Sequence, residues 1–221
     1  LADMAPPGSS IKSFPRLTGR GGGIAVIFSS QLNITFKYNG SEYRSFEHTG
    51  LAINTNEDSI NLHAIYKPPP SSKNGLKMSE FFEDFSDFLL KTDIDEQKSI
   101  ILGDFNIHYE RNTADVVRVK NMLAEHDLVQ HVNQSTHRKG GIIDWIVTSS
   151  NVQLLSPVSV EDLCISDHSL VFFEIDTKTK VKTKSKKRVT SRDLKKLDLT
   201  TFKNDLLERL EEREEALDPD K

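Results

Sequence analysis

The stretch that most constrains this chain is Ser99–Asn106, a short apolar run followed by polar residues. Ser99–Leu102 contains two Ile and one Leu, a composition typical of a buried β-strand. Asp104 and Asn106 follow Gly103, and because side chains alternate along an extended chain, both can project to the same side. An acid and an amide at the end of a buried strand suit a metal ion, an activated water or a phosphate. Gly, Asp and Asn are also ordinary turn residues, so a simple polar turn is the alternative.

Composition narrows the class of protein. At 221 residues and 36% hydrophobic content, the chain can bury one sizeable core. Its single cysteine, Cys164, gives no disulfide framework and indicates a reducing, intracellular compartment, either the nucleus or the cytoplasm. No apolar run approaches the roughly 20 residues of a membrane span, so we expect no membrane partner.

Charge divides the chain into an acidic body and a basic tail. Residues 1–176 carry 15 Lys+Arg against 23 Asp+Glu, whereas residues 177–221 carry 14 against 10. We expect one domain at 1–176, a basic linker at 177–196 and an amphipathic helical tail at 197–221. The densest basic run, Lys178–Arg188, is typical of a solvated linker, and it also resembles a phosphate-binding or nuclear-localisation patch.

Hydrophobic periodicity predicts strands with helices between them. Residues 1–19 contain several Pro, Gly and Ser, and we expect them to form an irregular lead-in. Strands are predicted near 24–28, 34–38, 43–53, 59–66, 99–102, 128–132, 142–148, 152–160 and 170–175. Helices are predicted at 76–90 and 113–126, from apolar stripes such as Phe81, Phe85, Phe88 and Leu89. This order of elements predicts an α/β or layered α+β fold.

Three further sites place polar residues at or inside predicted strands. Tyr66 ends a strand where three prolines stop further pairing. Asp144 interrupts an apolar run, and a buried carboxylate is costly without a partner. Asp167 and His168 stand directly before the last strand, and such a pair suits acid–base or phosphate chemistry. Thr136 lies in the turn before Asp144. Taken singly, each of these residues is equally an ordinary rim, turn or capping residue.

Together, four motifs in this order resemble the endonuclease/exonuclease/phosphatase family. They are Tyr66 before its prolines, Gly103–Asn106, Ile143–Ile146 and Ser166–His168. Within that family, the resemblance is in particular to the endonuclease domains of non-LTR (LINE-type) retrotransposons, and it covers about residues 5–176. The resemblance implies an α/β fold built as a four-layer sandwich, in which helices flank two facing mixed β-sheets and the site lies at one open end.

The resemblance also implies catalytic roles for five residues. Asp104 would polarise the attacking water, and Asn106 would hold that water or the phosphate. His168 would stabilise the charge that develops on the scissile phosphate, and Asp144 would orient the imidazole of His168. Tyr66 would contact the phosphate.

The remaining implied roles concern the metal and the substrate. Asp167, helped by Asp104, would bind Mg²⁺, a hard cation suited to carboxylate and phosphate oxygens, with Mn²⁺ as the alternative ion. Thr136 and Ser166 would line the substrate site. The family's first strand and a metal-binding Glu have no counterpart in residues 1–23, which contain no Glu. We therefore expect the domain to be truncated at its N terminus, with its first strand missing.

The implied function is a metal-dependent DNA endonuclease that nicks target DNA to prime reverse transcription. Its partners would be DNA and a reverse transcriptase domain downstream in the parent polyprotein. A phosphatase acting on a small phosphorylated substrate is one alternative, because the family's phosphatases and nucleases share these core residues. The other alternative is a catalytically inactive relic or a nucleic-acid-binding module. The absent Glu favours an inactive protein, and the basic tail would bind the nucleic acid.

Overall fold

The computed structural model describes residues 5–16, 21–39, 43–55, 58–92, 94, 98–175, 198, 200–201 and 203–204. The chain divides into two units, Leu1–Lys182 and Thr183–Lys221. No helix among the described residues is long and apolar enough to span a membrane.

The second unit is described at only a few positions. Residues 200, 201, 203 and 204 are helical, and the Asp198 carboxylate accepts hydrogen bonds from the backbone N–H groups of Thr200 and Thr201, as a helix N-cap does. The predicted basic linker at 177–196 lies outside the described residues, and so does the rest of the predicted helical tail. The domain boundaries at 176 and 196 stay predictions.

A six-stranded mixed sheet forms the centre of the first unit. In spatial order its strands are β3 (Asn33–Asn39), β4 (Glu47–Asn54), β5 (Ser59–Tyr66), β6 (Lys98–Asp104), β8 (Asp144–Ser149) and β7 (Leu128–Gln130). Strands β5 and β6 run parallel, and the other neighbouring pairs are antiparallel. Because a parallel connection needs a crossover, helix α1 (Met78–Lys91) joins β5 to β6. Helix α2 (Ala114–Glu125) lies between β6 and β7 in the chain.

Two small antiparallel sheets accompany the large one. Strand β1 (Ser9–Phe14) pairs with β2 (Ile24–Ser29), and β9 (Ser159–Glu161) pairs with β10 (Leu170–Phe172). The predicted irregular lead-in is therefore wrong for residues 9–14. Three serines hide the strand signal there, but every residue of β1 pairs with β2. The Phe14 ring also packs 5.6 Å from the ring of Phe36 on β3.

The six-stranded sheet lies between the helices and the β1–β2 sheet. On one face, His48 and His63 contact the ring of Phe88 on α1. On the other face, Phe36 contacts Phe14 and Phe28 from β1 and β2. The apolar stripe predicted for the first helix is buried, as are Val116, Val119 and Leu123 on α2. The predicted α/β sandwich class is confirmed.

A pair of buried histidines lies under helix α1. His48 Nε2 and His63 Nδ1 are 3.1 Å apart, so one ring nitrogen donates a hydrogen bond and the other accepts it. The two residues are only 4% and 2% exposed, and His63 Nε2 is buried without a hydrogen-bond partner among the described residues. Burial lowers the pKa of His48 to about 4. Burial, together with the charges of His48 and Lys37, lowers the pKa of His63 to about 3.

This pair should make the fold sensitive to acid. Because both folded-state pKa values lie below the unfolded value of 6.5, the unfolded chain binds more protons as the pH falls below about 6.5. Urea unfolding at pH 7 and pH 4.5 should show a loss of roughly 2 kcal/mol for each histidine. The double variant His48→Phe/His63→Phe replaces both imidazoles with rings that cannot be protonated. It should therefore not lose this part of its free energy of unfolding between pH 7 and pH 4.5. An equal loss in both proteins would show that the pair does not titrate in this range.

Candidate active site

Four neighbouring strands of the large sheet carry one row of polar residues. The strand register pairs Glu47 with Tyr66, Tyr66 with Asp104, and Asp104 with Asp144. Residues paired across a sheet project from the same face, so these four side chains, here called the polar row, share one face. The sequence predicts three of them from their positions along predicted strands. It does not mark Glu47, because the place of that residue depends on the pairing of β4 with β5.

Gly103 allows β6 to reach the polar row. Its backbone φ is +139°, and a Cβ atom at this position would lie 1.8 Å from the carbonyl oxygen of Ile65. Glycine therefore lets β6 stay paired with β5 as far as Asp104. The apolar run predicts a strand that stops at Leu102, but in the structure the strand continues through Gly103 and Asp104 is its last residue.

Asn106 anchors the carboxylate of Asp104. The backbone N–H of Asn106 donates to Oδ1 and its side-chain amide donates to Oδ2, both at 2.9 Å. The same amide donates to the carbonyl oxygen of Lys67. The two residues meet as predicted, but not by alternation along a strand. Asn106 has a left-handed φ of +49°, which Asn tolerates better than most residues, and this turn brings it back to Asp104.

The environment of Asp104 makes its carboxylate more basic than an exposed one. Burial raises the pKa of Asp104 above its ordinary value, and the charge of Asp144 adds to the rise. The hydrogen bonds from Asn106 and the charge of His168 act in the opposite direction without cancelling it. A carboxylate with a raised pKa accepts a proton more readily than an exposed one, which suits a base in catalysis.

His168 and Asp144 form an ion pair. His168 Nδ1 lies 2.9 Å and 3.1 Å from the two carboxylate oxygens of Asp144. Burial lowers the pKa of His168, but the hydrogen bond and charge of Asp144, with the charges of Asp104 and Asp167, outweigh it and raise the pKa. The raised pKa favours the charged form of the imidazole, and the contact with Asp144 uses Nδ1, so Nε2 is left for another contact. His168 is therefore the partner that the Asp144 carboxylate was predicted to need.

Thr136 fixes the start of β8. The residue is fully buried, and its hydroxyl accepts hydrogen bonds from the backbone N–H groups of Ile143 and Asp144 at 3.2 Å and 3.1 Å. Strand β8 therefore begins at Asp144. The prediction of a strand over 142–148, with Asp144 in its interior, is wrong at its start. Since the hydroxyl faces the backbone, its observed role is structural, and a contact between Thr136 and substrate stays a prediction.

Ser166 and Asp167 lie on an exposed turn before β10. Ser166 Oγ accepts a hydrogen bond from the backbone N–H of His168 at 3.1 Å. The Asp167 side chain is 66% exposed, and its Oδ2 lies 3.4 Å from Nε2 of His137. A hydrogen bond from its own backbone N–H lowers the pKa of Asp167, and the charges of His168 and His137 lower it further. The sequence analysis gives no role to His137, which directly follows Thr136.

Two clusters among the described residues offer ligand atoms for a cation. One contains Asp104, Asp144 and His168, the other contains His137, Asp167 and His168, and within each cluster the ligand atoms lie within 4.8 Å of one another. Asp104 contributes a carboxylate oxygen to the first cluster and Asp167 contributes one to the second, so the two acids do not share a cluster. Carboxylate oxygens are the ligands that Mg²⁺ and Mn²⁺ prefer. A carboxylate oxygen that accepts one hydrogen bond keeps a second lone pair for a metal. Each cluster therefore fits a divalent cation, and one ion bound by both Asp104 and Asp167 stays a prediction.

Solved structures with a similar fold agree with this architecture. They include the endonuclease domain of TRAS1, a telomere-specific non-LTR retrotransposon, with 16% identity and a TM-score of 0.58 over 76% of this chain and 78% of that one. An endonuclease/exonuclease/phosphatase family protein from Leptotrichia buccalis has 16% identity and a TM-score of 0.53 over 76% and 72%. The human Nocturnin catalytic domain has 16% identity and a TM-score of 0.51 over 76% and 73%. At such identities the likeness shows the fold alone, which is the endonuclease/exonuclease/phosphatase sandwich.

The family follows from the sequence itself. A sequence profile described as endonuclease-reverse transcriptase matches residues 60–172, which include the polar row from Tyr66 onward and the Asp167–His168 pair. The chain belongs to this family, and the resemblance described from the motifs is confirmed. A search of curated proteins gives no match.

The role of Thr136 can be tested through stability. Thr136→Val keeps the shape of the side chain but leaves the backbone N–H groups of Ile143 and Asp144 without their acceptor, which should cost roughly 1–3 kcal/mol in the free energy of unfolding. Thr136→Ser keeps the hydroxyl and should cost less. Urea unfolding of the three proteins measures the difference. If the two variants lose equal stability, the hydroxyl does not hold the start of β8.

Proposed function

We propose that this chain is a divalent-metal-dependent DNA endonuclease that nicks target DNA so that reverse transcription can start at the nick. The observation that carries the proposal is the Asp144–His168 ion pair, which shares one end of the sheet with the anchored Asp104 carboxylate. A fixed base beside a fixed cation is the pairing that phosphodiester hydrolysis requires. The match to the endonuclease-reverse transcriptase family supports a reverse transcriptase domain in the same polyprotein as the partner.

Asp104 is proposed to polarise the attacking water. Two hydrogen bonds from Asn106 hold its carboxylate in one orientation, so little reorganisation is needed when the water loses its proton. The side-chain amide nitrogen of Asn106 is engaged by Asp104 and the Lys67 carbonyl. The amide oxygen has no partner among the described residues and is proposed to hold the water or the phosphate.

His168 is proposed to stabilise the negative charge that develops on the scissile phosphate. Asp144 favours the charged ring and occupies Nδ1, so Nε2 is the nitrogen that would face the substrate. Tyr66, beside Asp104 in the polar row, is proposed to donate its hydroxyl to the phosphate. Asp144 thus acts through His168, whereas His168 and Tyr66 touch the substrate.

Asp167, with Asp104, is proposed to hold the divalent cation, Mg²⁺ or Mn²⁺. The bound ion would supply positive charge to the phosphate oxygens. Asp167 suits this role because its carboxylate is exposed and its pKa is low, so it is ionised at neutral pH. Ser166, exposed on the same turn, is proposed to line the substrate site, and Thr136 to support it through the backbone of Asp144.

These assignments predict the behaviour of three variants. Asp104→Ala and His168→Ala should lower Mg²⁺-dependent nicking of supercoiled plasmid by at least about 10²-fold, because each removes a proton acceptor or a charge that the reaction needs. Asp144→Asn should reduce nicking by releasing the orientation and charge of His168. The matched control is Asp87→Asn, which removes an acid that pairs with Lys91 on helix α1 and should nick at the wild-type rate.

Urea unfolding of each variant separates loss of chemistry from loss of fold. Wild-type nicking by both Asp104→Ala and His168→Ala would refute the assignment. A wild-type protein that binds DNA but fails to nick it in Mg²⁺ or Mn²⁺ would favour a nucleic-acid-binding module instead.

A further inference from the structure

We infer that Arg16 binds the phosphate adjacent to the scissile one, so that the site is built for a polynucleotide strand rather than for a single small phosphate ester. The inference rests on the proposed function and specifies its substrate class. It concerns Arg16 and Glu47, two residues that the sequence does not single out.

Glu47 holds Arg16 at the end of the polar row. Oε1 of Glu47 accepts a hydrogen bond from Arg16 Nε, and Oε2 accepts one from the backbone N–H of Gly23, each at 2.5 Å. The side chains of Arg16 and Glu47 are only 27% and 16% exposed. Glu47 belongs to neither cluster of possible cation ligands among the described residues, and its carboxylate anchors the guanidinium.

The anchor uses only one of the three guanidinium nitrogens. The two terminal nitrogens of Arg16 carry four N–H donors, and they have no hydrogen-bond or ion-pair partner among the described residues. A planar fork of donors matches the oxygens of a phosphate. Gly22 leaves room at this fork, since a Cβ atom there would fall 2.5 Å from Arg16 Nη2. Among the residues that the structure describes, the guanidinium is therefore fixed at one edge and unpaired at the other.

The anchor of Arg16 stands at the end of the polar row, on the side of Tyr66 away from Asp104. Its guanidinium carbon lies 5.8 Å from the centre of the Tyr66 ring, and in the polar row Tyr66 stands between Glu47 and Asp104. Glu47 is thus two strands from Asp104, about 9–10 Å at the usual strand spacing. On this inference, a monoester held by Tyr66 and Asp104 would not engage Arg16, whereas a nucleic acid strand would place another phosphate beside it.

The charge of the site favours such a contact. Asp104, Asp144 and Asp167 are acids gathered at one end of the sheet, and the body at 1–176 carries more acidic than basic residues. A polyanion approaching this region is repelled unless a cation offsets the acids. Arg16 supplies a fixed cation in line with the polar row.

The first experiment measures binding without cleavage. A duplex oligonucleotide is titrated with the protein in EDTA at several salt concentrations. Arg16→Met should raise Kd about tenfold, the loss expected for one charge-assisted contact, and should reduce the slope of log K against log salt by about 1. Arg16→Lys should restore the slope but only part of the affinity, because a lysine lacks the fork. Lys91→Met, at the end of α1 opposite the site, is the matched control and should change neither quantity.

The second experiment compares a plasmid with bis(p-nitrophenyl) phosphate, a diester that has a single phosphate. Arg16→Met should lower kcat/KM on the plasmid about tenfold, mainly through KM, and leave the rate with the small ester unchanged. Equal losses on both substrates, or an unchanged salt slope, would overturn the inference. A wild-type protein that cleaves neither substrate would contradict the proposed function instead, and the salt slope would still decide whether Arg16 binds a DNA phosphate.

Discussion

The parallel pairing of β5 with β6 is the constraint on which the whole site depends. It sets Tyr66 beside Asp104, and the antiparallel neighbours extend the row to Glu47 and Asp144. A slip of one residue would turn a side chain to the opposite face of the sheet. The pairing persists to the last residue of β6 because Gly103 brings the backbone close to Ile65. One glycine thus links the geometry of the sheet to the chemistry of the site.

Each charged group of the polar row has a fixed partner. Asn106 holds Asp104, His168 holds Asp144, and Arg16 holds Glu47. These partners come from loops that follow or precede the strands, so the sheet supplies position and the loops supply orientation. Since groups fixed before the substrate binds need no reorganisation during reaction, this arrangement favours electrostatic stabilisation of a developing phosphate charge.

Much of this could be predicted from the sequence because the decisive residues are local. The apolar run before Asp104 and the Asp167–His168 pair can be recognised as short motifs, and they predict the correct family and fold. Glu47 and Arg16 could not be found in this way, since their ion pair joins residues 31 positions apart and depends on strand register. The sequence does not predict the inward orientation of the Thr136 hydroxyl either, because this orientation depends on a loop that folds back on β8.

The central claim is that Asp104 and Asp167 hold a divalent cation beside the polar row. Anomalous scattering from crystals grown with Mn²⁺ tests this claim most directly. The account predicts a peak at bonding distance, about 2.1 Å, from carboxylate oxygens of both Asp104 and Asp167, and this peak should vanish in Asp167→Asn but persist in Asp87→Asn. A Mn²⁺ peak bound by other residues, or one that persists unchanged in Asp167→Asn, would contradict the account.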